Sequence, residues 1–355
     1  MIFSKQRFYF SLIATYLNFN NPSYKVVSKK ISRSIIANKK KLNMHFWIPD
    51  DTSGSRIIVE DIYYDLIHAI RHHSLDWNIT VSRDLPIIKV DYLVCFKAIP
   101  DKKILIGKPK LIMLICDQAE IFWDELTKFE ALVSTSSIAF AKLIARKNKN
   151  VFFIGESESL KNIAIGKDNL LTPPSTRPPN LMWHGGKYSL ESLHDLRPVL
   201  EVFASRHKVN LYIVSGSEKL RYYQWGKLRI THMPWSLSSI INTSRKCRLG
   251  IIPSRNGLRT SFLKPASRVR SLYALGLPAI GDQRVPDVLE FMSQFKGPVA
   301  NNNNEWLNLL EEIWDSKEVD VLAQKGWDLI LKEYSSIHTA NQWINFFITM
   351  EKNEK

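Results

Sequence analysis

The sequence predicts an α/β protein that consists of two doubly wound domains. Apolar, strand-like runs alternate with amphipathic, helix-like segments from residue 44 onward, and a proline-rich stretch separates two rounds of this alternation. The chain has 355 residues and 45% hydrophobic content, which suffices for two domains of ordinary size. Ligands of doubly wound sheets bind beyond the carboxyl ends of the strands. We therefore predict two Rossmann-like domains that face a cleft.

The first half, residues 44–171, contains apolar runs that are typical of parallel strands. Residues 90–96 (VDYLVCF) and 111–116 (LIMLIC) are continuous, as in strands that are covered on both faces. Shorter runs occur at residues 45–48, 77–81, 131–133 and 151–154. Residues 56–73 form an amphipathic helical pattern, because Ile58, Ile62, Leu66 and Ile70 recur at four-residue intervals.

Residues 172–179 (TPPSTRPP) contain four prolines, and we place a stiff interdomain linker there. The second half, residues 180–355, repeats the alternation. Its predicted strands are residues 180–183, 209–214, 228–231, 248–252, 277–280 and 298–300. Its predicted helices are residues 190–205, 237–243, 264–275, 285–292, 305–315 and 319–332, and a last helix at 339–350 closes this domain.

The basic charge is concentrated in a leader, residues 1–43. The first 44 residues carry nine Lys and Arg and no acid, so they account for +9 of the net +15 and leave +6 for the rest. A nucleic-acid-binding function is therefore disfavoured for the folded body. The leader is basic and aromatic and suits peripheral contact with an anionic membrane face. Alternatively, it is a disordered segment or an upstream extension of a start at Met44.

Other functional classes receive no support from the sequence. Cys95, Cys116 and Cys247 lie far apart in apolar runs, so neither a disulfide framework nor a metal site is predicted. Buried free thiols are typical of a reducing cytoplasm. The longest apolar stretches are too short to span a bilayer. We expect a cytoplasmic protein, peripheral at most to the inner membrane face.

Trp183-His-Gly-Gly-Lys follows the first strand of the second half and precedes a helix. Gly185 and Gly186 allow a ligand to approach the backbone, and N–H groups at a helix start favour an anion such as a diphosphate. His184 and Lys187 are candidate contacts to the same group, and His184 is alternatively a structural histidine whose hydrogen bonds are satisfied within the protein. The alternative is an ordinary strand-to-helix turn.

A second candidate segment follows the strand LGII. Its polar loop contains Arg255 and Asn256, and the helix predicted after it begins near Lys264. Lys264, Ser267 and Arg268 share one helical face, and a basic cluster at a helix start suits a diphosphate. The alternative is a solvated basic face. A further aromatic cluster at Tyr222, Tyr223 and Trp225 is a candidate base-binding loop or surface packing.

Several segments occur in a fixed order: Trp183-His-Gly-Gly, LYIV, Trp235-Ser, Ile251-Ile-Pro, Lys264-x-x-Ser-Arg, Ala274-Leu-Gly-Leu-Pro-Ala-Ile, and a terminal run that ends in Trp343. This order resembles the C-terminal domain of group-one glycosyltransferases of the GT-B fold over residues 180–348. Residues 111–136 match more loosely. The resemblance implies that a nucleotide sugar binds mainly to the C-terminal domain and that an acceptor approaches from the N-terminal domain. No metal is required where positive side chains and helix N-termini neutralise the diphosphate, so no separate cofactor is predicted.

The chain departs from the pattern of many retaining members, which carry two glutamates eight residues apart. Leu263 and Ser271 hold those two places. An inverting enzyme needs a general base, for which Asp51 and Asp117 are candidates because they follow strands of the first domain. Gly54 and Ser55 lie in a predicted loop where an acceptor could approach closely.

Two hypotheses follow from these patterns. The first is a glycosyltransferase that moves a sugar from a nucleotide-sugar donor to a glycan or lipid-linked acceptor, in the assembly of cell-surface polysaccharide. The second is a non-catalytic nucleotide- or glycan-binding module of the same fold, which the missing glutamates favour.

Overall fold

The computed structural model describes residues 24–30, 40–49, 53–116, 119–254 and 262–352. The chain divides into two compact units, Met1–Ser157 with Ser336–Lys355 and Glu158–Ser335. Each unit contains one seven-stranded sheet. The predicted fold class, two doubly wound α/β domains, is confirmed in this respect.

The first sheet is parallel throughout and has the order β1-β7-β6-β5-β4-β2-β3. Its strands are β1 (Lys25–Val26), β2 (Leu42–Trp47), β3 (Trp77–Ser82), β4 (Tyr92–Phe96), β5 (Lys110–Ile115), β6 (Ala131–Ser134) and β7 (Val151–Phe153). The central strands β4 and β5 are buried on both faces, as their continuous apolar runs predict.

The helices of the first unit include the last one in the chain. They are α1 (Ser53–His72), α2 (Ala119–Phe122), α3 (Ile138–Ile144) and α11 (Ser336–Lys352). Trp343, Phe346 and Phe347 of α11 are fully buried against this sheet, and the Phe347 ring lies 5.2 Å from that of Tyr92. The helix that the sequence assigned to the C-terminal domain therefore belongs to the first unit.

Part of the predicted leader also belongs to the first unit. Val27 and Ser28 follow β1, and their carbonyls accept hydrogen bonds from Gln342 Nε2 at 2.8 Å and Asn345 Nδ2 at 2.6 Å. The next strand, β2, begins at Leu42, two residues before the predicted domain start. Lys25 and Val26 thus form an edge strand, and a strand of two residues is too short to show a periodicity in the sequence.

The second sheet has the order β10-β11-β9-β8-β12-β13-β14 and is parallel except for the β10–β11 pair. Its strands are β8 (Asn180–His184), β9 (Asn210–Ser215), β10 (Arg221–Trp225), β11 (Leu228–Pro234), β12 (Leu249–Ile252), β13 (Ala279–Asp282) and β14 (Val299–Ala300). Of the two alternatives for Tyr222 and Tyr223, a base-binding loop is wrong, because both residues lie on the exposed strand β10, whose turn to β11 uses Gly226 at φ +52°.

Helices cover both faces of this sheet. They are α4 (Leu160–Leu170), α5 (Leu190–Arg206), α6 (Leu237–Ser244), α7 (Ser267–Ala274), α8 (Pro286–Ser293), α9 (Asn303–Trp314) and α10 (Glu318–Glu333). Trp183 belongs to the core beneath α5 and α9, whereas its neighbour Met182 belongs to the core beneath α7 and α8. Alternate strand residues therefore serve opposite layers.

The boundary between the units lies earlier than the proline-rich segment. Arg177 is 3% exposed, and its guanidinium donates to the carbonyls of Thr172, Asn169, Ser244 and Gly276. Residues 172–179 are thus packed within the second unit and are not a free linker. A buried guanidinium needs several acceptors, and here Thr172 of the segment itself and three carbonyls from other parts of the second unit supply them.

Candidate functional site

A change of winding direction marks the candidate site in the second sheet. From β8 the chain proceeds outward through β9 and β11, and it then returns to β12 on the other side of β8 and continues to β13 and β14. Loops that leave adjacent strands in opposite directions open a crevice at the carboxyl end of the sheet. That crevice lies between the loops that follow β8 and β12.

The loop after β8 begins with two glycines of different character. The Gly185 N–H donates to the Val214 carbonyl at 3.1 Å, so this N–H is not available to a ligand. A Cβ atom on Gly185 would lie 3.0 Å from Arg268 Nη1 and from two ring carbons of Trp183. Gly186 is exposed, and a Cβ atom there would meet nothing within 4 Å. A ligand can therefore approach the backbone at Gly186.

Arg268 lies beside this turn, on the first turn of α7. Its guanidinium carbon is 6.0 Å from the centroid of the Trp183 ring. Nη1 is buried and has no hydrogen-bond acceptor among the described residues. Burial lowers the pKa of Arg268 to about 10, and nearby Asp282 opposes that shift. The side chain remains charged at neutral pH, so the crevice contains a buried cationic donor that lacks an acceptor in the described chain.

His184 anchors α7 to the end of β8. Its Nε2 lies 3.0 Å from the carbonyl of Arg268 and 3.2 Å from Ser271 Oγ. Burial lowers the pKa of His184 to about 4, so the ring is neutral at pH 7 and Nε2–H can donate to that carbonyl. His184 therefore positions the backbone of Arg268 and has the hydrogen bonds of a structural histidine, and its direct contact with a donor stays a prediction.

Asp282 and Arg284, which the sequence did not single out, organise the neighbouring loop. The fully buried Asp282 carboxylate accepts from the Ser254 N–H at 2.7 Å and from Arg284 Nε at 2.9 Å. Arg284 Nη2 in turn donates to the Ser254 carbonyl at 2.8 Å. The ends of β12 and β13 are thus joined by a charge-assisted network. The sequence signal that could have identified Asp282 is its position directly after the apolar run LPAIG, at the end of a strand.

A cavity of about 410 Å³ adjoins this network on the side of α5 and α9. Its lining is mainly polar: Ser192, Asp195, Leu196, Pro253, Ser254, Arg284, the four asparagines at 301–304, and Trp306. This volume falls within the range of small-molecule sites. A much smaller gap on the other side of Ser254 is lined by Lys264 and Arg268. Ser254 therefore lies between the two spaces.

The structure brings together some of the sequence-predicted site residues. Lys264 and Arg268 line the same gap, and Ser267 is the first residue of α7, which begins three residues later than predicted. Lys187 is exposed in the turn after Gly186. Asp51, Asp117, Arg255 and Asn256 lie outside the described residues.

The predicted acceptor-side loop is different in the structure. Gly54 and Ser55 lie in the first turn of α1, which begins at Ser53. The loop prediction for these two residues was wrong because the helix begins before its apolar periodicity does.

Two further properties concern the described part of the chain. No group of three or more His, Cys, Asp or Glu side chains there is arranged to hold a metal ion. None of the helices in the described ranges combines the length and apolarity that a membrane span requires.

Comparisons of the sequence with family models and with curated proteins give no match. Comparison with solved structures does. A glycosyltransferase from Rickettsia africae has a TM-score of 0.61 at 10% identity, over 88% of this chain and 100% of that chain. Sucrose-phosphate synthase from Thermosynechococcus elongatus has a TM-score of 0.61 at 11% identity, with the same coverage.

A third similar structure is Anabaena HepE in complex with UDP and glucose. It has a TM-score of 0.58 at 11% identity, over 87% of this chain and 100% of that chain. Identities this low establish the fold and not the activity. The predicted resemblance is confirmed at that level: the chain has the GT-B fold of glycosyltransferases.

Proposed function

We propose that the protein is a glycosyltransferase that moves a sugar from a nucleotide-sugar donor to a glycan or lipid-linked acceptor, in the assembly of cell-surface polysaccharide. The observation that carries the proposal is the buried Arg268 guanidinium, whose Nη1 has no acceptor among the described residues and lies at the crevice of a GT-B fold. An anionic group is the natural complement of such a donor.

The donor diphosphate would bind between the turn at Gly186 and the start of α7. Arg268 and Lys264 supply positive charge on one side, and Lys187 supplies it on the other. Ser267 lies at the helix start, where backbone dipoles favour an anion. These groups would stabilise the charge that develops on the departing nucleoside diphosphate as the bond between the anomeric carbon of the sugar and the diphosphate oxygen breaks. The nucleotide sugar is a substrate, and the proposal includes no separate cofactor.

The sugar of the donor would extend past Ser254 toward the 410 Å³ cavity. Its lining combines a carboxylate (Asp195), a guanidinium (Arg284) and amides (residues 301–304), which together donate to and accept from hydroxyl groups. The Asp282 network would hold Arg284 in place.

An inverting transfer would require a general base that activates the acceptor hydroxyl. Asp51 and Asp117 remain our candidates, because both follow strands of the first sheet. A lipid-linked acceptor would bring the protein to the inner face of a membrane, where the basic leader suits an anionic surface. We propose a cytoplasmic location and no nucleic-acid partner.

One observation favours the second hypothesis, a non-catalytic binding module. Leu263 and Ser271 occupy the places of the paired glutamates. Leu263 is buried, and Ser271 Oγ is engaged with the Arg268 carbonyl at 3.0 Å. Neither side chain supplies a carboxylate to a sugar or a ribose.

Release of free nucleotide separates the two hypotheses. The full chain is incubated with UDP-, GDP-, ADP- and dTDP-sugars, beginning with UDP-glucose, with and without glycan and lipid-linked acceptors. We expect saturable binding of one nucleotide and acceptor-dependent release of it. Asp51→Asn or Asp117→Asn should abolish release while leaving nucleotide binding intact. Binding without release across the whole panel would favour the module. Absence of nucleotide binding would refute the glycosyltransferase and the nucleotide-binding form of the module, and it would leave only a module that binds glycans.

A further inference from the structure

Two loops of the first unit lie against each other. Residues 83–91 connect β3 to β4, and residues 97–109 connect β4 to β5. Neither contains an α-helix, and the second has only a single 3₁₀ turn at Lys102–Ile104. The loops touch, since a Cβ atom on Gly107 would lie 2.7 Å from Cγ of Lys89. Ile88 and Ile106 flank that contact in sequence.

Five isoleucines of these loops are exposed. Ile87 is 88% exposed, Ile104 61%, Ile88 56%, Ile106 49% and Ile99 42%. Isoleucine is among the residue types most often buried, so five exposed within 20 residues require an explanation.

The exposure does not result from a lack of core-facing residues in the loops. Val90, Pro100 and Pro109 of the same loops are buried. The loops thus have an inner side that packs on the protein and an outer side that carries isoleucine.

The same segments are basic. Residues 83–109 contain six Lys and Arg and three Asp, a net charge of +3. Lys89, Lys102, Lys103 and Lys108 are exposed. Of the acids, Asp101 accepts from the Lys103 N–H at 3.0 Å and Asp91 from the Asn43 N–H at 2.8 Å. We call the five exposed isoleucines and four exposed lysines the Ile–Lys surface.

We propose that the Ile–Lys surface docks the first unit on an anionic lipid membrane. Isoleucine side chains can enter the boundary between head groups and acyl chains, while lysines remain at the lipid phosphates. An acidic protein partner is the alternative, and in that case the wild type would not bind anionic vesicles. The surface is distinct from the basic leader, and the proposal holds whether or not the protein transfers a sugar.

The loops are anchored at their ends, so little ordering is needed on contact. Trp47 Nε1 donates to the Arg83 carbonyl at 2.8 Å, and Ser82 Oγ donates to the Asp84 carbonyl at 2.6 Å. Asp101 caps the 3₁₀ turn that carries Ile104. A preformed surface loses less conformational entropy when it binds.

Vesicle co-sedimentation of the full chain tests the proposal. We expect binding to vesicles of phosphatidylcholine and phosphatidylglycerol (about 60:40), weakened by high salt, and little binding to phosphatidylcholine alone. The triple variant Ile87→Ser/Ile104→Ser/Ile106→Ser should lower the partition coefficient at least tenfold. Lys102→Gln/Lys103→Gln/Lys108→Gln should lower it by about fivefold per lysine that contacts the surface.

Matched controls change equally exposed residues elsewhere and retain the leader. Leu171→Ser/Val321→Ser/Ile337→Ser and Lys161→Gln/Lys167→Gln/Lys325→Gln should bind as the wild type does. Hydrogen exchange on the wild type should show protection of residues 83–91 and 97–109 when anionic vesicles are added. The proposal fails if the wild type does not bind anionic vesicles or if the surface variants bind them as strongly as the wild type does. It also fails if these loops gain no protection from hydrogen exchange.

Discussion

Replacing Arg268 with methionine should stabilise the protein and weaken nucleotide binding at the same time. Nη1 of Arg268 is buried without an acceptor among the described residues. A buried donor left unsatisfied costs about 1–3 kcal/mol, and more when it is charged. Attraction to Asp282 offsets part of that cost. Methionine keeps apolar contact with Trp183, so we expect the free energy of unfolding of the second unit to rise by about 1–2 kcal/mol.

The effect on binding has the opposite sign. A charge-assisted hydrogen bond to a phosphate contributes about 1.5–3 kcal/mol. Its loss should raise the Kd of the best-binding nucleoside diphosphate roughly 10- to 150-fold. A residue that only packs would lower stability on truncation and leave the Kd nearly unchanged, so the two readouts together identify a site that is preorganised for an anion.

Calorimetry measures both quantities. For a domain of this size, 1 kcal/mol corresponds to a shift in Tm of about 2–4 °C, and isothermal titration gives the Kd. Arg206→Met serves as the control, because Arg206 is exposed and pairs with Glu311 at 3.1 Å on the surface; it should change neither value beyond error. A lowered Tm for Arg268→Met, or an unchanged Kd, would refute the anion-site reasoning.

Two further predictions concern the end of β8. Gly185→Ala places a methyl 3.0 Å from Arg268 Nη1 and the Trp183 ring, so we expect the free energy of unfolding to fall by about 1–3 kcal/mol and nucleotide binding to weaken. Gly186→Ala places its methyl in open space and should preserve stability. Equal Tm values for the two variants would contradict the packing described. His184 has a folded pKa of about 4 and an ordinary value of 6.5, so between these pH values only the unfolded chain binds its proton, and the free energy of unfolding should fall by about 1.4 kcal/mol per pH unit as pH decreases. His184→Gln should remove that contribution, and parallel pH–stability curves for variant and wild type would show that the ring does not stay neutral.

The sequence was sufficient to predict most of the second sheet. A continuous apolar run is a strong signal for a buried parallel strand. The bounds of β8, β9, β11, β12 and β13 lie within two or three residues of the predicted ones. Strand β10 was missed because Arg221 to Gln224 are exposed, so no apolar pattern reveals them. Its only local signal was Gly226, which takes a positive φ in the turn.

The sequence predicted which segments form the candidate site better than it predicted the role of each residue in them. The Gly185 turn and the Lys264–Arg268 segment do meet at the crevice, as chain order suggested. The roles of His184 and Asp282 depend on partners 84 and 28 positions away in sequence, Arg268 and Ser254. Such long-range pairings leave no periodic trace, since each partner on its own is an ordinary polar residue at the end of a strand.

The local sequence pattern likewise could not predict which of the two sheets α11 packs against. Its apolar pattern predicts a helix that needs a sheet to cover, but both sheets could supply one. Tyr92 Oη donates to Glu351 at 2.6 Å, and this contact joins residues 259 positions apart.

The return of α11 to the first unit bears on how the chain folds during synthesis. The core of the first sheet needs Trp343, Phe346 and Phe347, which leave the ribosome after the whole second unit. The second unit is continuous in sequence, from Glu158 to Ser335, and all of its strands are made before α11 appears. The unit that is translated first must therefore complete its core after the unit that follows it. Until α11 packs, the apolar face of the first sheet stays exposed to solvent. During that interval the nascent protein is most prone to aggregate or to be bound by chaperones.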